Sequence, residues 1–176
     1  MPFITQPFIL KLQTRLDPDS TVFESGVEGD TMEPIAIQGQ LVSPPPPGPP
    51  KEWATVWSEA TALGASGIIP FSSTISAAQG AMFGVLMGAT SAAPPHSILK
   101  SGFMAFAAAY SLGTVAGGAT SIPPSSPPPF ESLDGVGNVS TTNLPWLTHC
   151  SVMISQWFTG GTAFYLPNGV PVLMWM

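Results

Sequence analysis

Clusters of proline divide this chain into short pieces. Of its 176 residues, 21 are proline, and most of these lie at 44–50, 94–95 and 123–129. Proline fixes its own φ angle, lacks a backbone N–H and disfavours helix at the residue before it. The clusters therefore predict short helices and strands joined by stiff connections, with residues 43–50 forming a polyproline II spacer.

The first 42 residues have the pattern of an extended arm. Phe8, Leu10 and Leu12 stand at every second position, which is the period of a half-buried strand. An acidic loop at 17–34 follows, and its carboxylates account for the whole net charge of −6. Carboxylates suit Ca²⁺, but the glycine and terminal glutamate of a calcium-binding loop are missing. A solvated or partner-facing loop is the preferred interpretation, and cation binding is left open.

Residues 51–122 are predicted to form a helical core. An apolar stripe at helical spacing begins at Trp53, and two Ala/Gly-rich segments follow it. Both segments end in a small-residue turn and a Pro-Pro pair, which predicts an antiparallel pair of helices. Small residues recur four positions apart in both segments, a spacing that lets helix backbones approach closely. The predicted helix-packing residues are Gly80, Gly84, Gly88, Ala105, Ala109 and Gly113.

A membrane hairpin is the alternative for the same two segments and would make this a small membrane-associated protein. Residues 76–93 and 101–119 each reach the lower length limit for crossing a hydrocarbon layer of about 30 Å. Their high content of Ala, Gly, Ser and Thr makes insertion weak, and no basic flank sets an orientation. Helices that pack in water or between subunits are the preferred interpretation.

After a proline-rich loop at 123–130, residues 131–176 predict a helix and then a β-hairpin. The helix should end at Gly160-Gly161 and be buried on most sides. Asn168-Gly169 between two apolar runs is a strong hairpin signal. The last strand is apolar and uncharged, so we expect it to pair with or pack on another chain. The predicted partner-interface residues are Val172, Leu173, Met174 and Trp175, with Phe8, Leu10 and Leu12 of the arm.

These segments together predict an α+β fold. It consists of a small Ala/Gly-rich bundle of about four helices, an extended N-terminal β arm over residues 1–42 and a C-terminal β-hairpin. The low charge, 8% of residues, leaves little to hydrate a free surface, so much of that surface should be covered by other subunits.

Residues able to perform chemistry are few. Four Lys and Arg residues, scattered along the chain, cannot displace counterions from nucleic acid as a basic patch does. His96 lies far from the pair His149-Cys150, and neighbours on a helix diverge by about 100°, so neither a zinc site nor a nucleophile–base pair forms. No phosphate-binding loop is present. The sequence predicts no catalytic residue, metal, cofactor or small-molecule substrate.

The second part of the chain resembles a group of viral proteins. It has Ala/Gly-rich helices separated by Pro-Pro turns, the run from Gln156 to Ala163 (QWFTGGTA) and a short hairpin. In these features it is similar to small virion structural proteins of contractile-tailed bacteriophages. The likeness covers residues 70–176. It implies a multi-copy, non-enzymatic component of a tail, baseplate or neck, assembled in the host cytoplasm. Its partners would be other virion proteins and copies of itself, contacted by subunit packing and strand addition.

Overall fold

The computed structural model describes residues 3–16, 50–68, 74–88, 95–112, 119–133, 144–165 and 171–175. These residues form an α+β fold that is mostly helical, in agreement with the predicted class. The elements, in chain order, are the helices α1 (Thr5–Leu16), α2 (Pro50–Ala65), α3 (Ile75–Leu86) and α4 (Pro95–Ser111), strand β1 (Ala119–Ile122), a 3₁₀ turn (Phe130–Leu133), helix α5 (Leu144–Phe158) and strands β2 (Thr162–Tyr165) and β3 (Pro171–Met174).

The helices pack in sequence order around one aromatic core. α1 packs against α2, α2 against α3 and α3 against α4, while α5 closes the group against α1. The side chain of Trp57 on α2 lies at the centre and is 2% exposed. Its ring meets four others edge-on, with centroid distances of 6.2 Å to Phe8, 6.3 Å to Phe103 and Phe130, and 6.4 Å to Trp146. One side chain therefore joins α1, α2, α4, the 3₁₀ turn and α5.

The prediction of an extended strand at the N-terminus is wrong for the residues that the structure describes. Residues 5–16 are helical, and the buried side chains on them are Phe8, Ile9 and Leu12, whereas Leu10 is 52% exposed. That spacing follows the helical period and not the period of two. The remainder of the predicted arm, the acidic loop and the polyproline spacer lie outside the described residues, apart from Pro50 at the start of α2.

The three strands form an antiparallel sheet in the order β1-β2-β3. The pairing of β2 with β3 confirms the predicted hairpin, whereas β1 falls where the sequence predicted the end of the helical core. Trp175 follows β3 and fixes the sheet to the bundle. Its backbone N–H donates to the carbonyl of Gly161 at 3.1 Å, and its indole Nε1–H donates to Ser121 Oγ at 3.0 Å.

Tyr110 fixes the connection between α2 and α3 to the end of α4. Its hydroxyl lies 2.7 Å from the carbonyl oxygen of Ala65 and 2.9 Å from that of Ile68, and it shares its hydrogen between them. Its own carbonyl accepts a hydrogen bond from Thr74 Oγ1 at 2.8 Å. Burial raises the pKa of the Tyr110 hydroxyl, because a buried phenolate would lose its hydration.

Gly64 and Gly102 lie at helix contacts that leave no room for a side chain. A Cβ on Gly64 would lie 2.1 Å from Cζ of Phe3, whose ring is held between Phe8 and Phe158. A Cβ on Gly102 of α4 would lie 2.9 Å from Leu86 Cδ2 of α3. A Cβ on Gly80 of α3, by contrast, would meet no atom within 4 Å.

We expect Gly64→Ala and Gly80→Ala to change stability in opposite directions. The first forces a methyl group into the Phe3 ring and should lower the free energy of unfolding by about 1–3 kcal/mol. The second only raises helix propensity and should increase it by about 0.5–1 kcal/mol. Urea denaturation followed by tryptophan fluorescence measures both, and equal effects of the two substitutions would contradict the packing described.

We also expect stability to fall in alkali through Tyr110. The pKa of its hydroxyl is higher in the folded chain than the value of about 10 in the unfolded chain, so the stabilisation is complete below pH 10 and is lost as pH rises above it. Tyr110→Phe should lower stability at pH 7, by about 1 kcal/mol for the lost hydrogen bond, and make the decline above pH 10 shallower. Denaturation curves between pH 7 and 11 test this, and parallel declines in both proteins would contradict it.

Candidate functional site

The nucleophile and base candidates lie apart from each other. Cys150 is fully buried in α5, whereas the side chain of the neighbouring His149 is exposed. Burial raises the pKa of the Cys150 thiol, which keeps it protonated and unreactive. Among the described residues, no three His, Cys, Asp or Glu side chains are placed to hold a metal ion.

The charged side chains of the described residues serve mainly to join elements of the fold. Lys11 Nζ on α1 lies 2.5 Å from Glu59 Oε2 on α2, and Lys100 on α4 pairs with Glu131 in the 3₁₀ turn. The hydrogen bond from Lys100 lowers the pKa of the Glu131 carboxyl. Since these charges neutralise each other within the chain, they leave wide parts of the surface without net charge.

The outer face of α3 is the clearest uncharged surface. Ser76, Ala77, Gly80 and Gly84 are exposed along it, and no charged residue occurs between Thr74 and Gly88. A helix that faces water normally carries charged or strongly polar side chains on that face. Beside it, between α2 and α3, lies a groove of about 390 Å³ lined by Glu59, Ala62, Leu63, Ser66, Ile75 and Gln79.

Large apolar side chains are also exposed on α1, α2, α5 and β1, and at residues adjoining α1, α3 and α4. The described residues with exposed fractions between 40% and 64% are Ile4, Leu10, Leu63, Met87, Leu112, Ile122, Leu144 and Val152. Single exposed apolar residues are normal on a protein surface. The exposed apolar residues of this chain are informative because few charged side chains lie around them.

The predicted partner interface has to be corrected for three of its residues. Phe8 and Leu12 are 0% exposed and Trp175 is 1% exposed, so all three belong to the chain's own core. Their aromatic and aliphatic groups find neighbours within the chain because α1 and the C-terminal segment pack on the same bundle. Leu10 is exposed, as an interface residue would be. The remaining members, Val172, Leu173 and Met174, lie in β3, the strand that pairs with β2.

The predicted helix-packing glycines also have to be corrected. Gly80 and Gly84 lie on the outer face of α3, where a Cβ would meet nothing, and Gly88 lies just after that helix. Ala105 and Ala109 are half-buried on α4, and Ala109 packs against the core. Gly113 lies outside the described residues.

The true close approaches at Gly64 and Gly102 were missed by sequence reasoning. Gly64 continues the stripe of Trp57, Ala60 and Thr61 at helical spacing, and these residues are all buried. That stripe is the signal that could have found it.

Within the described residues, no helix combines the length and the apolar character needed to span a bilayer. α3 ends at Leu86 and α4 at Ser111, so both are shorter than the segments considered for a membrane hairpin. Comparisons of the chain with protein-family models, with curated proteins and with solved structures found no match.

We expect Cys150 to resist thiol reagents until the chain unfolds. Because the thiol is buried and its pKa is raised, the folded chain should react with a disulfide reagent only as fast as it opens. A His149→Cys change in a Cys150→Ala background provides an exposed thiol one residue away, and it should react at the rate of a free peptide. Labelling rates measured by mass spectrometry test this, and equal rates for the two thiols would show that α5 does not bury Cys150.

Proposed function

We propose that this chain is a non-enzymatic structural or adaptor subunit of a bacteriophage virion, in the tail or baseplate. In this role it assembles in the host cytoplasm with copies of itself and with other virion proteins. The observation that supports the proposal most is the outer face of α3, which is exposed, made of small residues and free of charge. Such a face suits a subunit whose surface is completed by neighbours.

The distribution of charge supports the same function. Lys11, Glu59, Lys100 and Glu131 form ion pairs inside the chain, and Lys51 is the one further charged residue whose side chain the structure describes. Contacts between subunits through the described surface would therefore be made by apolar groups and the backbone. The resemblance of residues 70–176 to small virion proteins is what directs the proposal to a phage particle rather than to another assembly.

We expect the purified chain to form discrete assemblies larger than 18.3 kDa as its concentration rises. Sedimentation velocity between micromolar and several hundred micromolar protein measures their size, and negative-stain images should show rings or tubes of one diameter. A Gly80→Glu variant should weaken assembly without loss of stability, because a Cβ there meets no atom within 4 Å and glutamate favours helix more than glycine does.

The matched control is Gln156→Glu, which adds the same charge at an exposed position on α5. It should assemble like the wild type. A wild-type chain that stays monomeric at every concentration would overturn the proposed function. If both variants assemble equally, the outer face of α3 is not a contact between subunits.

A further inference from the structure

The sheet offers two outer edges to a partner strand. Among the described elements, β1 and β3 each pack chiefly against β2, which lies between them. In an antiparallel sheet, successive residues direct their N–H and C=O groups to opposite neighbours. About half of the backbone groups of each edge strand therefore point away from β2, where another extended backbone can pair with them in place of water.

The edge of β3 carries two features that oppose strand addition. Pro171, its first residue, has no N–H to donate. Its register is also irregular, because Leu173 lies opposite Ala163 while Pro171 lies opposite the next residue, Phe164, so Val172 forms a bulge. Bulges and prolines are the means by which edge strands avoid pairing with other chains. The predicted role of the last strand in partner pairing is therefore unsupported by its geometry.

The edge of β1 has neither feature. Its residues from Ala119 to Ile122 pair with β2 in an unbroken register. None of them is proline or charged, and no charged residue occurs from Ala119 to Phe130. The side chain of Ile122 is 53% exposed. On the other face of the sheet, Ser121 is fixed by the indole N–H of Trp175 and by its own hydrogen bond to the carbonyl of Thr162 at 3.2 Å.

We propose that β1 pairs with β1 of a second copy of this chain, antiparallel and about a two-fold axis, to give one continuous six-stranded sheet. The inference rests on the proposed function and names the contact through which two copies join. A second copy suits this edge because two-fold pairing satisfies both exposed edges at once and leaves no new one in their place. Pro123 ends the strand, so a partner of the same short length matches it completely.

The faces of the sheet are preserved when the pairing is centred on Ser121. Residues directly opposite each other in an antiparallel pair share a face, so Ser121 can lie opposite Ser121 of the second copy. Ile122 then lies opposite residue 120, and its exposed side chain gains a neighbour across the interface. No like charges meet at the axis, since this part of the chain carries none.

The test is a lysine at the proposed edge. Ile122→Lys puts a charge opposite residue 120 of the second copy and diagonal to the same charge on that copy, and it should weaken self-association at least about tenfold while the melting temperature stays close to that of the wild type. Val152→Lys, at a residue of similar exposure on α5, is the matched control and should associate normally. Sedimentation velocity gives the association constants of the three proteins.

Amide hydrogen exchange shows whether association occurs by strand pairing. In the associated wild type, the amides of residues 119–122 should exchange more slowly than in the Ile122→Lys monomer. Unchanged association of Ile122→Lys, an equal loss with Val152→Lys, or unchanged exchange at 119–122 would each overturn the edge pairing while leaving the proposed function intact. A wild-type chain that never associates would overturn both.

Discussion

The edge-on contacts of Trp57 hold the helical bundle together. Short helices are only marginally stable alone, and the helices that the structure describes have 12 to 17 residues. Trp57 touches rings from α1, α4, the 3₁₀ turn and α5, so one residue connects parts of the chain that lie 46 to 89 positions away. Edge-on aromatic pairs contribute about 0.5–1.5 kcal/mol each beyond the burial of their area. With so few charges available, aromatic packing is the main source of order in this fold.

The same aromatic network extends to the sheet and explains why both ends of the described chain are buried. Phe103 contacts Trp157 with centroids 5.9 Å apart, and Phe158 stacks on Trp175 at 6.1 Å. Trp175 also meets Tyr110, whose hydroxyl fixes the end of α2. A residue such as Trp175 therefore stabilises the fold, and deleting the C-terminal segment would disturb the core as well as any contact with another chain.

Local patterns predicted the elements better than they predicted their partners. The stripe beginning at Trp53, the proline clusters and the Asn168-Gly169 signal located the helices from α2 onward and the hairpin, because each depends on neighbouring residues only. At the N-terminus, Phe8, Leu10 and Leu12 fit a strand while Phe8, Ile9 and Leu12 fit a helix, and packing on α5 favours the helix. The sequence shows the glycine spacing on α3 but not whether that face of the helix points to the core or to the surface. A stripe of small residues fits a close contact and an open surface equally well.

The positions of the ion pairs show how the low charge of the chain bears on its association with partners. Lys11 with Glu59 and Lys100 with Glu131 join elements within the chain, so little charge remains on the surface of the described residues to attract or exclude partners. Association without charge steering must take its specificity from shape and from hydrogen-bond register. The two edges of the sheet differ in this respect, because a bulge and a proline interrupt β3 whereas β1 offers an unbroken ladder. With β3 interrupted and β1 open, the proposed pairing through the sheet can occur at one edge only, and this limits the sheet to a closed pair instead of an extending one.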